Sequence, residues 1–419
     1  MAYYLKKEVI MLITALIVLS ITGCDESTKS TNDIFDNHSF PLVKTNQTSF
    51  YNNESEISAP AEGDAFYGQD AQYQAGVNIS CIDNGDGTVS NVNTGLMWQQ
   101  VPNLQGFVYD DAVTNCDTLV LAGYDDWRLP NVKELFSISD FSTGCPYIDT
   151  TYFKLASGQV VKDEQYWSSN RYVGVTVEGG DNAAFGVNHV TGHIKAYSAI
   201  SELPDGPGPS PKMVPRNGRD DGPGGPDGPG GPDFNPLAKQ VRAVRGDIYG
   251  ANDFFDNGDS TITDQATGLM WCQFDSEEGM DWESALSYAE NSEYAGYSDW
   301  RLPNVKELQS IVDYTYAPGA PDATKDRAAI NPLFDCTPIT NETGQADYPY
   351  YWTSTSACFA AGEPYYYAWY VAFGRAVNGE GLDFHGAGAV RFDTKVENGP
   401  EGEGGERYYN FVRLVRDVD

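Results

Sequence analysis

Four blocks of sequence occur twice in this chain, in the same order, and that duplication limits its architecture more than any other feature. Asp83-Asn-Gly-Asp-Gly-Thr-Val-Ser-Asn-Val-Asn-Thr-Gly-Leu-Met-Trp98 matches Asp256-Asn-Gly-Asp-Ser-Thr-Ile-Thr-Asp-Gln-Ala-Thr-Gly-Leu-Met-Trp271. Ala122 to Leu135 matches 295–308 at 13 of 14 positions, and both blocks share an offset of 173 residues. Tyr166-Trp167-Ser-Ser returns as Tyr351-Trp352-Thr-Ser, and Val241-Arg-Ala-Val-Arg245 as Val412-Arg-Leu-Val-Arg416. Solenoid repeats run to about 20–50 residues. A period this long predicts two tandem domains instead, at 76–246 and 247–419.

Each copy carries the same local signals. The Asp-Asn-Gly-Asp segment is turn chemistry between two short strands. Apolar spacing predicts a helix over 109–121 and its counterpart over 281–291, with Gly123 and Gly296 as stops. Trp-Arg-Leu reads as a short buried strand. Asn131 then caps a second helix while Glu134 reaches back, an arrangement repeated at Asn304 and Glu307. Arg128 and Arg301 are expected to pair with a nearby acid such as Glu134. Further strands begin at Tyr-Trp-Ser/Thr-Ser, and alternating Val and Arg close each copy. The predicted class is α+β, with two helices per copy packed on twisted antiparallel strands.

What precedes the repeats reads as an export leader and a spacer. Lys6 and Lys7 precede a largely apolar run from Val9 to Ile21, shorter than the roughly 20 apolar residues a bilayer span needs. Residues 1–23 therefore read as a signal peptide. Ile21-Thr-Gly-Cys24 resembles the lipobox of bacterial lipoproteins, which makes Cys24 the expected lipid-attachment site and anchors the chain to membrane through acyl groups. This places the protein in the cell envelope, with the outer membrane or cell surface favoured and the periplasmic face of the inner membrane open because Asp25 follows Cys24. Residues 24–75 are polar and aperiodic, and are expected to form a flexible tether reaching roughly 40 Å. A Pro/Gly-rich stretch at 203–235 reads as a floppy loop inside the first copy. With 60 acidic and 26 basic residues and a net charge of −34, the surface repels nucleic acid at long range.

Candidate chemistry is sparse. Six cysteines remain beyond Cys24, and they allow 15 pairings; Cys336 and Cys358, which flank one strand candidate, are the favoured disulfide. Asp83, Asp86, Asp256 and Asp259 are candidate calcium ligands, with a hairpin-turn role as the competing reading. Otherwise no cofactor is expected. His189 and His193 flank a Thr-Gly turn and would make a two-ligand metal site at best. Copy two is dense in tyrosine between 348 and 370, and strand alternation exposes every second side chain. Tyr365, Tyr367 and Trp369 are therefore candidates to stack on a sugar or anchor a protein. No catalytic motif stands out.

Taken together, the Asp-Asn-Gly-Asp, Thr-Gly-Leu-Met-Trp, Asp-Trp-Arg-Leu-Pro-Asn-Val-Lys-Glu-Leu, Tyr-Trp-Ser-Ser and Val-Arg-x-Val-Arg blocks resemble the domain at the C-terminus of the Legionella collagen-like adhesin. The resemblance covers about 80–246 and 254–417. It implies two tandem C-type-lectin-like domains, akin to the formylglycine-generating group but without that group's active-site cysteine pair. In the adhesin the domain is associated with sulfated glycosaminoglycans; the acidic composition opposes such a cationic surface, so the resemblance carries over a fold and a broad adhesive role. The expected function is a lipid-anchored envelope protein that binds glycan or protein without catalysis. An enzyme acting on an envelope or extracellular polymer, and a structural envelope lipoprotein, are the alternatives.

Overall fold

The computed structural model describes residues 38–103, 105–158, 160, 162, 164–202, 235–360, 362–400 and 407–418. Cys24, the leader and nearly all of the Pro/Gly stretch lie outside the described residues. An opening segment holds β1 (Phe50–Tyr51), β2 (Glu56–Ile57) and the short α1 (Asp70–Tyr73). The first repeat runs β3 (Cys81–Asp83), β4 (Thr88–Asn91), β5 (Met97–Gln99), α2 (Tyr109–Asp117), α3 (Val132–Ser137), β6 (Gln165–Tyr172), β7 (Ala183–Asn188), β8 (Ile194–Ser198) and β9 (Val244–Arg245). The second gives β10 (Phe254–Asp256), β11 (Thr261–Asp264), β12 (Leu269–Cys272), α4 (Trp282–Glu290), α5 (Val305–Ser310), a small hairpin β13 (Ile339–Thr340) and β14 (Ala346–Asp347), then β15 (Tyr350–Ala357), β16 (Tyr367–Ala372), β17 (Val390–Thr394) and β18 (Val415–Asp417). The fold is α+β and rich in sheet.

Each repeat folds its first hairpins and its closing strand into a four-stranded antiparallel sheet, β3-β4-β5-β9 or β10-β11-β12-β18. Each also forms a meander, β6-β7-β8 or β15-β16-β17. The two meanders meet at their last strands, where Val390 pairs with Ile194, and merge into one sheet ordered β15-β16-β17-β8-β7-β6. An unpaired strand edge is a template for association, and here each copy closes the other's edge. His38–Asp419 is accordingly one compact unit.

Side chains alternate across this sheet. From β16, Tyr367, Trp369 and Val371 enter a core shared by both repeats, together with Phe185 and Val187 of β7, Leu135 of α3 and Leu308 of α5. Ala368, Tyr370 and Ala372 face the other way, into a separate core under α4. Trp167 and Ala184 do the same under α2. The sheet is thus covered on both faces, as strands buried on two sides require.

Local chemistry explains why both copies fold alike. The two capping boxes form as expected, at Asn131 with Glu134 and at Asn304 with Glu307. Arg128 donates to both oxygens of Glu134 at 2.7 and 2.6 Å, and Arg301 to both of Glu307 at 2.7 Å. Arg242 and Arg413, fully buried in the closing segments, clip backbone carbonyls: Arg242 holds Gln99, Gln100 and Lys154, and Arg413 holds Cys272, Gln273 and Asp335.

Residues 38–75, expected to be part of the tether, pack against the fold instead. From residue 38 onward the chain packs as a strap. Phe40 and Leu42 enter the shared core, Lys44 and Val77 bond through their backbones, and the Gln47 amide grips Ser356 through both its ends. Thr355 donates to the buried Asp70 at 2.6 Å. A polar segment lacks periodicity when side chains such as Gln47 satisfy backbone groups directly, which is why composition alone reads it as solvated.

Candidate binding cleft between the repeats

The residues singled out from sequence fall mostly into structural roles. Tyr367 and Trp369 do not face solvent; both are core residues, 4% and 0% exposed. Alternation sends half of β16 outward only when one face is wet, and here the shared core with α5 covers the Tyr367 and Trp369 face while α4 covers the other. Tyr365 is half-buried and stacks on Tyr51 at 3.9 Å between ring centroids. Asp83 and Asp256 accept from the backbone of Gly85 and Gly258, and Asp86 and Asp259 accept from both the backbone and hydroxyl of Thr88 and Thr261. These are side chains completing hairpin turns, and no cluster of three or more metal-ligating side chains occurs among the described residues. Cys336 and Cys358 are not joined. Cys336 contacts Tyr351 near the start of β15, whereas Cys358 follows its far end. Seven residues of strand separate those points by roughly 23 Å, well beyond the ~7 Å Cα separation a disulfide tolerates. His189 and His193 are buried against Tyr166 and against Trp369 with Phe392.

The site that the fold does build lies where the repeats meet. Helices α3 and α5 pack against each other. A cleft of about 380 Å³ opens beside them, lined by the start of α3, by Asn170, by 250–254 of the connection into repeat two, and by the segment after α5 from Ile311 to Thr315 with Asn331. Lys133 reaches in from α3 and donates to Asn252 Oδ1 at 2.7 Å. Burial pushes its ammonium down to about 8, while the carboxylates of Asp264 and Asp313 pull the other way. Asn170 Oδ1 accepts from Val132 N at 2.8 Å and Asn331 Oδ1 accepts from Leu333 N at 3.0 Å. Each carboxamide is thereby oriented, with its Nδ2 donors uncommitted among the described residues. Asp313 spends Oδ1 on the backbone and hydroxyl of Thr315 and keeps Oδ2. Tyr314 and Phe254 supply apolar wall.

The duplication produces a counterpart cleft of about 250 Å³, lined by Ile79, Cys81, Ile138 and Asp140 at the positions of Asn252, Phe254, Ile311 and Asp313. Lys306, the equivalent of Lys133, does not line this cleft but lies close enough to feel Asp140 and Cys81 of its lining. In each half the lysine comes from one repeat and the aspartate from the other: Lys133 senses Asp313, and Lys306 senses Asp140. The strap breaks the symmetry. Lys306 Nζ donates to Lys44 O at 2.9 Å and Ser137 O at 3.1 Å, and Asn46 donates to Asp140 Oδ2 at 3.2 Å. Burial pushes Lys306 down to about 7, with Asp140 the strongest of the acids opposing it. The strap thus engages the lysine and aspartate of the smaller cleft, whereas Asp313 Oδ2 in the larger one accepts no hydrogen bond among the described residues.

Sequence reading missed this cleft because its parts sit far apart in the chain and each is unremarkable alone. The retrievable signal was Lys133 and Lys306 inside the duplicated Asn-Val-Lys-Glu block, an exposed-looking lysine repeated where the rest of the block is scaffold. No curated protein and no solved structure matches the chain. The family described as the Lcl C-terminal domain matches residues 87–203 and 260–416. Those two regions span more than half of the chain, each centred on one repeat, and the chain belongs to the Lcl C-terminal domain family as a tandem pair.

Proposed function

We propose that this protein is a lipid-anchored, non-catalytic binding protein of the bacterial cell envelope, and that its larger cleft takes a neutral glycan. The observation that carries the reading is the asymmetry between equivalent clefts: the strap engages the lysine and aspartate of the smaller one and leaves the larger one with oriented donors and an acceptor. Sugar hydroxyls donate and accept at once, so they fit Asn170 and Asn331 Nδ2 beside Asp313 Oδ2, with the Tyr314 and Phe254 walls against a ring face. Lys133 is already bonded to Asn252 and flanked by two carboxylates, which disfavours an anion. Membership of the Lcl family supports a surface, adhesive role, and the leader with Cys24 supports anchoring at the outer membrane or cell surface. Two helices packed on twisted antiparallel strands in each repeat support a C-type-lectin-like relationship. Glycoside hydrolysis uses two carboxylates about 5–10 Å apart; among the described residues the cleft lining holds one carboxylate, Asp313.

The test is a panel of immobilised neutral and sulfated oligosaccharides probed with the full chain. Retention of neutral members, lost in Asn331→Leu and in Asp313→Asn while both variants melt like the parent, is the expected result. No retention of any neutral glycan, or equal retention by the variants, overturns the proposal.

A further inference from the structure

We propose that Cys145 and Cys358 form a disulfide that staples the first repeat to the second. The loop 141–147 of repeat one reaches the end of β15 in repeat two, and there the two cysteines are interleaved. Tyr147 Oη donates to Cys358 O at 3.1 Å, accepts from Cys358 N at 3.3 Å and lies 3.7 Å from Cys358 Sγ. A side chain at Gly144 would collide with Cys358 Sγ, so that sulfur rests on the backbone immediately before Cys145. Cys145 Sγ in turn donates to Phe359 O at 3.8 Å. Each sulfur therefore lies against the residue next to the other cysteine. The remaining cysteines among the described residues lie elsewhere: Cys116 in the core under α2, Cys272 in the core under α4, Cys81 in the smaller cleft and Cys336 against Arg413.

The chemistry needs a disulfide oxidant, and oxidised glutathione serves. Cys145 is partly exposed, so its thiolate attacks first, breaks the glutathione S–S bond and releases one glutathione thiol. The buried Cys358 thiolate then attacks Cys145 Sγ and expels the second glutathione. Two cysteine protons and two electrons leave the protein, and one external disulfide becomes two thiols.

The purified full chain is incubated natively with oxidised glutathione, residual thiols are alkylated, and the unreduced protein is digested for mass spectrometry. Trypsin leaves Cys145 in 134–154 and Cys358 in 328–375, and chymotrypsin separates Cys358 from Cys336. The expected product joins Cys145 to Cys358 with loss of two hydrogens, forms equally in Cys336→Ser and is absent in Cys358→Ser. Alkylation of both cysteines, arrest at the glutathione adduct of Cys145, or Cys358 joined to any other cysteine overturns the proposal. Because the oxidant is supplied, the outcome does not depend on where the protein resides.

Discussion

Tyr172 of the first repeat donates a 2.7 Å hydrogen bond to Asp383 Oδ2 of the second. The pair sits in the seam between the joined meanders, where Gly386 N donates to Asp383 Oδ1 at 2.9 Å and Ala387 N to Tyr172 Oη at 3.1 Å. Burial outweighs these donors and pushes the Asp383 carboxyl up to about 7, from an ordinary value near 3.8.

That shift predicts a pH-sensitive seam. A carboxyl whose folded pKa lies above its unfolded one holds its proton longer when folded. Its contribution is fully present below about pH 4 and is lost as pH rises through about 7. The ceiling is about 4 kcal/mol, since each unit is worth about 1.4 kcal/mol. Asp383→Asn removes the titration, so the stability of the parent relative to this variant is expected to fall between pH 4 and pH 7. Urea unfolding of both proteins across that range measures it, and a flat difference rejects the assignment.

The buried arginine clips make a second prediction. Arg413 gives Nη1 to two carbonyls and Nη2 to a third, and Arg242 does the same in its own repeat. A lysine cannot span three acceptors from one planar head. Arg413→Lys and Arg242→Lys are each expected to lose roughly 2–4 kcal/mol, because carbonyls left unpaired in the interior cost about 1–3 kcal/mol each and relaxation recovers part of that. The common sheet and core make one cooperative unit, so each variant lowers a single calorimetric transition. Two separated transitions would show that the repeats unfold independently.

The scaffold was legible because its physics is local or repeated. Asn131 and Glu134 announce a capping box within one helical turn, and Arg128 lies six residues from the acid it grips. The strap and the seam were not legible. Gln47 bonds Ser356, 309 residues away, and nothing in either sequence neighbourhood encodes the partner. Trp369 looked like a surface aromatic because alternation predicts which side chains share a face, not whether that face is covered.

Trp369 supplies the direct check on that correction. Its ring packs edge-on to Phe141, Tyr147 and Phe392 at 5.2–5.5 Å between centroids, uniting both repeats around one side chain. Trp369→Ala is expected to cost about 3–5 kcal/mol through lost contacts and the cavity left behind. At a temperature where the variant remains folded, glycan retention per folded molecule is expected to match the parent. A selective loss of retention with unchanged stability would return Trp369 to the ligand-binding role that its sequence position suggested.

The unequal burial of Lys133 and Lys306 gives the last prediction. Both ammonium groups lie below their ordinary value near 10.5, at about 8 for Lys133 and about 7 for Lys306. For a base the depressed folded pKa means that the charged form is the strained one. The cost is full below the folded pKa and is relieved as pH rises toward the unfolded value. The parent should therefore gain stability relative to Lys306→Met from about pH 7 upward, and relative to Lys133→Met only from about pH 8. Gln47→Ala loosens the strap, admits water to Lys306 and is expected to raise its onset toward that of Lys133 while leaving Lys133 unchanged. Unfolding free energies at pH 6, 7, 8 and 9 separate the two onsets. Coincident onsets in the parent, or an onset for Lys306 indifferent to Gln47→Ala, would mean that the strap is not what distinguishes the two clefts.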